Sequence, residues 1–363
     1  MFSQRFVTGG RDNNMNLLRF IMALAVLVSH AWPICKGPGT PEPLQAATGY
    51  SLGSYAVFVF FALSGFLISE SYAQKNAPGP YLVARTARLV PGLLVSLLLV
   101  AFVLGPVVSA AYLDAPQSWG FVAANLTLIH PQYSLPGVFA GNPYPQVEGS
   151  IWTLAHEAGW YLVVLACGLC GILRRPALVG LLAGLMALAY VGLQVAGLQY
   201  PGLHIAAKLA QFIQLGLPFA LGMAFRSYKA LIPNTLWIMA ALALAAGVTL
   251  NTPYGFPLLM AFVVYATFWL AYGPGGALRA FNRVGDYSYG IYIYAFPLQG
   301  LIVWLLPGVG VAGNIALATP LTLGLAVLSW HLVEHPALIW VKARLPRRAN
   351  RSIPADFAGI SAS

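Results

Sequence analysis

Residues 17–30 read LLRFIMALAVLVSH, an apolar run with one arginine near its start and one histidine at its end. Extended at both ends, the run is long enough to cross a bilayer core as a helix. Arg19 and His30 are eleven positions apart. At about 100° per residue they return to within about 20° of one helix face, roughly 16 Å apart along the axis. A central arginine costs ~2.5–3.5 kcal/mol to insert, so such groups normally face a bundle interior or a watery cavity. The helix therefore reads as one wall of a chamber. The plain alternative is a histidine bonded to a neighbouring helix and an arginine snorkelling to the inner surface.

The remaining composition agrees. Over 363 residues, 59% are hydrophobic and 8% charged, with a mean hydropathy of +0.75, whereas soluble domains carry about a quarter charged residues. The chain is expected to be all-α and polytopic. A net charge of +10 would suggest nucleic acid in a soluble protein, but here the basic residues fall between apolar runs and report orientation instead. No nucleic-acid partner is expected. Cys35, Cys167 and Cys170 form no disulfide framework. The first apolar run has no small-residue cleavage site, so no cleaved signal is expected.

Ten apolar runs follow, near residues 16–34, 53–72, 89–110, 151–173, 177–198, 207–225, 234–251, 256–272, 287–306 and 312–333. With the N-terminus in the cytoplasm, seventeen of the nineteen basic residues fall on the inner side, leaving Lys36 and Lys208 outside. About ten crossings with both termini cytoplasmic are expected. Residues 1–338 form one transmembrane unit. Residues 339–363 read as a basic, disordered cytoplasmic tail able to touch anionic lipid. Most outer loops are short, but Tyr112 to Ser150 is long and rich in Pro, Gly and Asn. Its first part, SWGFVAANLTLIH, suggests a short interfacial helix, and the loop could hold a bulky substrate or simply link two helices.

Further polar constellations stand out. WTLAHEAGWY (152–161) places Glu157 and His156 one to two turns into the fourth run, at a depth expected to match His30; a carboxylate and an imidazole at one level suit a general base and its orienter. Arg85 and Arg88 in YLVARTARLVP share a helix face by spacing, which suits a phosphate-bearing ligand. Positive-inside anchoring would require the same residues. In FFALSGFLIS, Ser64 and Gly65 read as close helix packing. His331, Glu334 and His335 match the inverted zinc-protease spacing. Pro336 is expected to end that helix at once and no third ligand follows, so no metal site is expected.

In chain order, NNMNLLRFIMALAVLVSH, VFFALSGFLIS, YLVARTARLVP, GSIWTLAHEAGWYL, GDYSYGIYIYAFPLQ and SWHLVEHPAL resemble the membrane acyltransferase-3 family over about Asn13 to Leu338. The resemblance implies a ten-helix enzyme of the bacterial cytoplasmic membrane. Such an enzyme takes an acyl group, usually acetyl, from cytoplasmic acyl-CoA to a hydroxyl of an extracytoplasmic glycan or lipid-linked sugar. It implies that His30 is the catalytic histidine with Arg19 its partner, that Arg85 and Arg88 bind the donor, and that Glu157 is the motif carboxylate. Related sequences often carry aspartate where this chain has Asn16, and many carry histidine where it has Ala295.

The expected mechanism has Arg85 and Arg88 holding the acetyl-CoA phosphates at the inner mouth while the pantetheine arm brings the thioester to His30. His30 takes the acceptor proton, Glu157 orients imidazole or sugar, and Arg19 stabilises charge on the thioester oxygen. Two rivals remain at this point. A proton-coupled transporter also needs buried Arg, His and Glu, and a membrane metalloprotease would rest on HLVEH.

Overall fold

The computed structural model describes residues 4–5, 12–109, 112, 117–196 and 204–344. The helices are α1 (Met15–Lys36), α2 (Pro43–Thr48), α3 (Leu52–Lys75), α4 (Pro78–Leu99), α5 (Gly105–Val108), α6 (Gln117–Thr127) and α7 (Trp152–Leu169). They continue as α8 (Pro176–Val195), α9 (His204–Tyr228), α10 (Leu236–Thr249), α11 (Gly255–Tyr272), α12 (Ser288–Leu305), α13 (Val311–Ser329) and α14 (His335–Arg344). The only strands among the described residues are the pair Gln4–Arg5 and Pro233–Asn234, two residues each and antiparallel. The protein is an all-α polytopic membrane protein.

Every one of the ten apolar runs is a helix. Eight continuous helical stretches, among them Pro78–Val108 and Val311–Arg344, are long and apolar enough to cross a bilayer. The other two runs are α7, made more polar by His156 and Glu157, and α10, which has 14 residues. Local signals set the boundaries. Ser51 caps α3 by accepting from the Ser54 N–H at 3.0 Å, and Asn76 ends it in the left-handed region at φ 44°, leaving Pro78 to open α4 where its missing N–H costs nothing.

Three expectations change. The third run starts at Pro78 rather than residue 89, so Arg85 and Arg88 lie inside α4. Pro336 does not stop the last helix. A π turn, Trp330–Glu334, precedes it. This opens the i→i−4 ladder where the proline ring would otherwise strike a carbonyl, and the helix runs on to Arg344, past the expected domain edge at Leu338. Val100–Leu104 is a second π turn, placed in the same way before Pro106. The long outer loop is folded into the bundle, burying Leu135, Val138, Phe139, Val147 and Glu148. Asn142 Nδ2 ties it to the Gly300 carbonyl of α12 at 2.9 Å. Its helical first part forms as α6. The expected tail beyond Arg344 lies outside the described residues.

The bundle is centred on α12, most of whose residues from Ser288 to Val303 are buried. Glycines bring α3 and α9 into backbone contact, since a Cβ on Gly65 would strike the Phe219 carbonyl and one on Gly222 the Ala62 carbonyl. Gly65 thus packs, as expected, whereas Ser64 turns elsewhere. Polar contacts gather the arginine-bearing ends at one face of the bundle. Asp12 pairs with Arg279, Arg226 with Glu70 at 2.5 Å, and Arg174 donates to Asn76 Oδ1 at 3.0 Å.

Candidate active site

The arginine-bearing face opens into a cavity of about 650 Å³ whose wall includes Arg19, Lys75, Arg85, Arg88, Glu157 and Lys342. Arg19, Ser64, Glu157 and Tyr289 also line a narrow cavity of about 50 Å³ deeper in, bounded by Val57, Phe60, Phe61 and Leu154. Val57, Thr153 and Tyr292 are shared in turn with a third cavity of about 150 Å³ that reaches Ser29, His30, Tyr50 and Trp152. A fourth, of about 210 Å³, lies on another side of His30. The four form a series through the bundle with shared walls. Arg19 stands in the first two and His30 in the last two, so the face of α1 read from sequence does line a chamber.

The two arginines of α4 share a cavity but not a state. Arg88 pairs with Asp286 at 2.7 Å and Glu334 at 3.2 Å, and its guanidinium lies over the rings of Tyr289 and Trp330. Arg19 also reaches Asp286, at 3.6 Å, and donates to Ser288 Oγ at 3.3 Å. Two arginines therefore face two carboxylates. Burial alone would raise the Asp286 carboxyl, but Arg19 and Arg88 outweigh it and hold it at about 2. Arg85 has no such partner. Its Nε is buried without a hydrogen bond and its guanidinium lies 5.9 Å from the Tyr161 ring centroid. With Lys75 and Lys342 it leaves this cavity positive.

Glu157 accepts from Tyr161 OH at 2.7 Å and from Ser64 Oγ at 3.1 Å. It belongs to the cavities of Arg19, and lines neither cavity of His30. The expected convergence of Glu157 with His30 at one level is not what the structure shows. His156 points away again, against Trp152 and Phe212. His30 packs edge-on to Phe296 at 5.3 Å, and its Nδ1 is buried without a partner. Arg19 lines neither cavity of His30, and its contacts turn it to Asp286 and Ser288 at the start of α12.

Asp286 and Glu334 were missed as site residues. Asn16 donates to the carbonyls of Phe281 and Val284, and Asp286 supplies the counter-charge to Arg19. The available signal was electrostatic. Two arginines within apolar helices need carboxylates, and the candidates in apolar surroundings are few. Glu334 belongs to the HLVEH stretch, where it binds Arg88 and accepts from Ser329 Oγ at 3.0 Å. Among the described residues no group of three or more His, Cys, Asp or Glu could hold a metal.

A family model described as an acyltransferase domain matches residues 12–333, which spans every residue of these cavities except those of α14. The chain belongs to this acyltransferase family. It is similar to nodulation protein 10 of Rhizobium leguminosarum bv. viciae, 28% identical over 376 residues, covering 94% of this chain and 98% of the relative. It is also similar to an O-acetyl transferase of Shigella phage Sf6, 26% identical over 333 residues, covering 89% and 95%. No solved structure matches significantly. The acyltransferase is thus an integral membrane enzyme, with the cavity series running through its family-matched region.

Proposed function

We propose that the protein is an O-acetyltransferase of the bacterial cytoplasmic membrane that moves acetyl from cytoplasmic acetyl-CoA to a hydroxyl of an extracytoplasmic carbohydrate. The observation that carries this reading is the cavity series, cationic at one end and holding the buried His30 at the other. Acetyl-CoA needs such a split. Its nucleotide is too charged to enter the bilayer, while its thin pantetheine arm can thread a narrow passage. The phage relative's name supports acetyl as the group transferred.

Arg85, with Lys75 and Lys342, binds the phosphates through charge-assisted hydrogen bonds. Arg88, neutralised by Asp286 and Glu334, shapes the wall and fixes Asp286 for Arg19. Arg19 and Glu157 line the passage for the arm. At the outer end His30 takes the proton of the acceptor hydroxyl as its oxygen attacks the thioester carbonyl. The C–O bond forms, the C–S bond breaks, and the proton passes to the departing CoA sulfur, so proton and charge balance. Thr153 and Tyr292, where this cavity meets the narrow one, hydrogen-bond to each other and to the Ser150 carbonyl and so fix the wall of the passage.

His30→Ala tests the reading. Alanine is compatible with the helix, so the protein should insert and bind acetyl-CoA. Loss of a general base costs about 10²–10⁴ in rate, and acetyl esters on the host's envelope glycans should disappear from mass spectra. Near-normal acetylation by His30→Ala would refute the role. Failure of purified wild-type protein to release CoA from acetyl-CoA in the presence of those glycans would favour a transporter.

A further inference from the structure

His30 shares a cavity with a carboxylate that no local sequence pattern marks. The cavity of about 210 Å³ beside it is lined by Ser29, His30, Thr40, Glu42, Gln45 and Ser51 among others. Glu42 lies in the short outer connection between α1 and α3, immediately before α2, and is only 4% exposed. One of its oxygens, Oε1, accepts from the Leu52 N–H at the start of α3. That bond anchors the carboxylate without consuming its charge or its remaining lone pairs. His30 lines the same cavity, and its Nδ1 is buried and unpartnered. The other ionisable side chain of this connection, Tyr50, lines the second cavity of His30 and not this one, and Lys36 at the end of α1 is exposed.

A neutral imidazole acts as a base at one nitrogen only if the other carries the proton, and that tautomer is fixed by an acceptor at the second nitrogen. Left to itself, a buried Nδ1 would gain nothing by holding the proton. We propose that Glu42 is the positioning residue for His30, accepting from Nδ1–H through water in the shared cavity and so leaving Nε2 as the base. A polar cavity of this size has room for bridging water, and a water-bridged contact is enthalpically close to a direct one. As His30 gains the acceptor's proton, the Glu42 carboxylate also stabilises the resulting imidazolium. The inference rests on the acetyl-transfer reading of His30.

The informative variant is Glu42→Gln, because the amide oxygen can still accept from the Leu52 N–H while the negative charge is removed. Membrane vesicles of the native host, carrying its own glycan acceptors, are assayed for transfer from radiolabelled acetyl-CoA with wild type, Glu42→Gln, His30→Ala and the double variant. Glu42→Gln should lower kcat about 10- to 100-fold, part of the ~10²–10⁴ of general-base catalysis. KM for acetyl-CoA should stay within about twofold, as should protein abundance. In the His30→Ala background the same change should alter the residual rate less than about twofold, because a residue acting through His30 has nothing left to act on. Equal fold losses in both backgrounds would assign Glu42 to structure and overturn the inference. Wild-type kcat in Glu42→Gln, with His30→Ala inactive, would overturn it while leaving the histidine's role standing. An active His30→Ala would overturn both.

Discussion

Replacing Arg85 and Arg88 singly by glutamine should give opposite phenotypes, although the two residues are three apart on one helix. Arg88 has 13% of its side chain exposed and makes two of the network's three ion pairs, one of them with Glu334 at 2% exposure. Removing one partner from a buried pair costs about 3–5 kcal/mol, chiefly because a buried charge is left uncompensated. Asp286 keeps Arg19, but Glu334 retains only the Ser329 hydroxyl. Arg85 has only the Tyr161 ring to lose, about 0.5–1 kcal/mol. The stability gap between the two variants is therefore about 2–4 kcal/mol. For donor binding the order reverses. A lost hydrogen bond to a charged group is worth about 1.5–3 kcal/mol, so Arg85→Gln should weaken acetyl-CoA binding about 10- to 150-fold. SDS titration of purified protein reads the first quantity and calorimetric titration with acetyl-CoA the second. Adding Glu334→Gln to Arg88→Gln should restore part of the lost stability by removing the orphaned charge. Equal destabilisation by the two single variants, or unchanged affinity in Arg85→Gln, would refute the division of roles.

Glu148 in the outer loop is fully buried, and burial pushes its carboxyl from 4.5 up to about 8 against the opposing hydroxyls of Ser96 and Ser150. Its contribution is intact below pH 4.5 and lost as pH rises toward 8, so thermal stability in detergent should decline over that window and Glu148→Gln should flatten the decline; an identical slope in the variant would contradict this. Gly65→Ala should cost about 1–3 kcal/mol by forcing α3 from the Phe219 backbone, read as lower SDS resistance, while Gly184→Ala, with open space around its Cβ, should not. A cysteine at Gly141 should react with an impermeant thiol reagent in intact cells and one at Arg174 should not; equal labelling would overturn the orientation.

The helices were readable because hydrocarbon imposes one requirement on every crossing, a long apolar run with internally satisfied backbone. That Arg19 and His30 of α1 each face a cavity was readable too, since it depends on helical period, but they line different cavities of the series. The start of α4 at Pro78 was hidden because Arg85, Thr86 and Arg88 break the apolar run that marks a crossing, although the spacing of the two arginines already suited a helix. The unlike states of Arg85 and Arg88 were hidden for a different reason: the deciding carboxylates come from 198 and 246 residues away. No local pattern encodes that distance. Glu42 stands in a proline- and glycine-rich connection whose composition signals only a turn.

The π turn at Trp330–Glu334 makes the inner site a matter of helical phase. Relative to an unbroken α-helix it holds one surplus residue, and all that follows is rotated accordingly. Deleting that residue would let the ladder close, at the price of about 100° of rotation for α14. Leu338, Val341 and Lys342, now on the cavity wall, would turn outward together, and the ring of Pro336 would meet a carbonyl again. A single-codon deletion far from any reacting atom would thus strip one cation from the inner mouth while changing no residue that lines it.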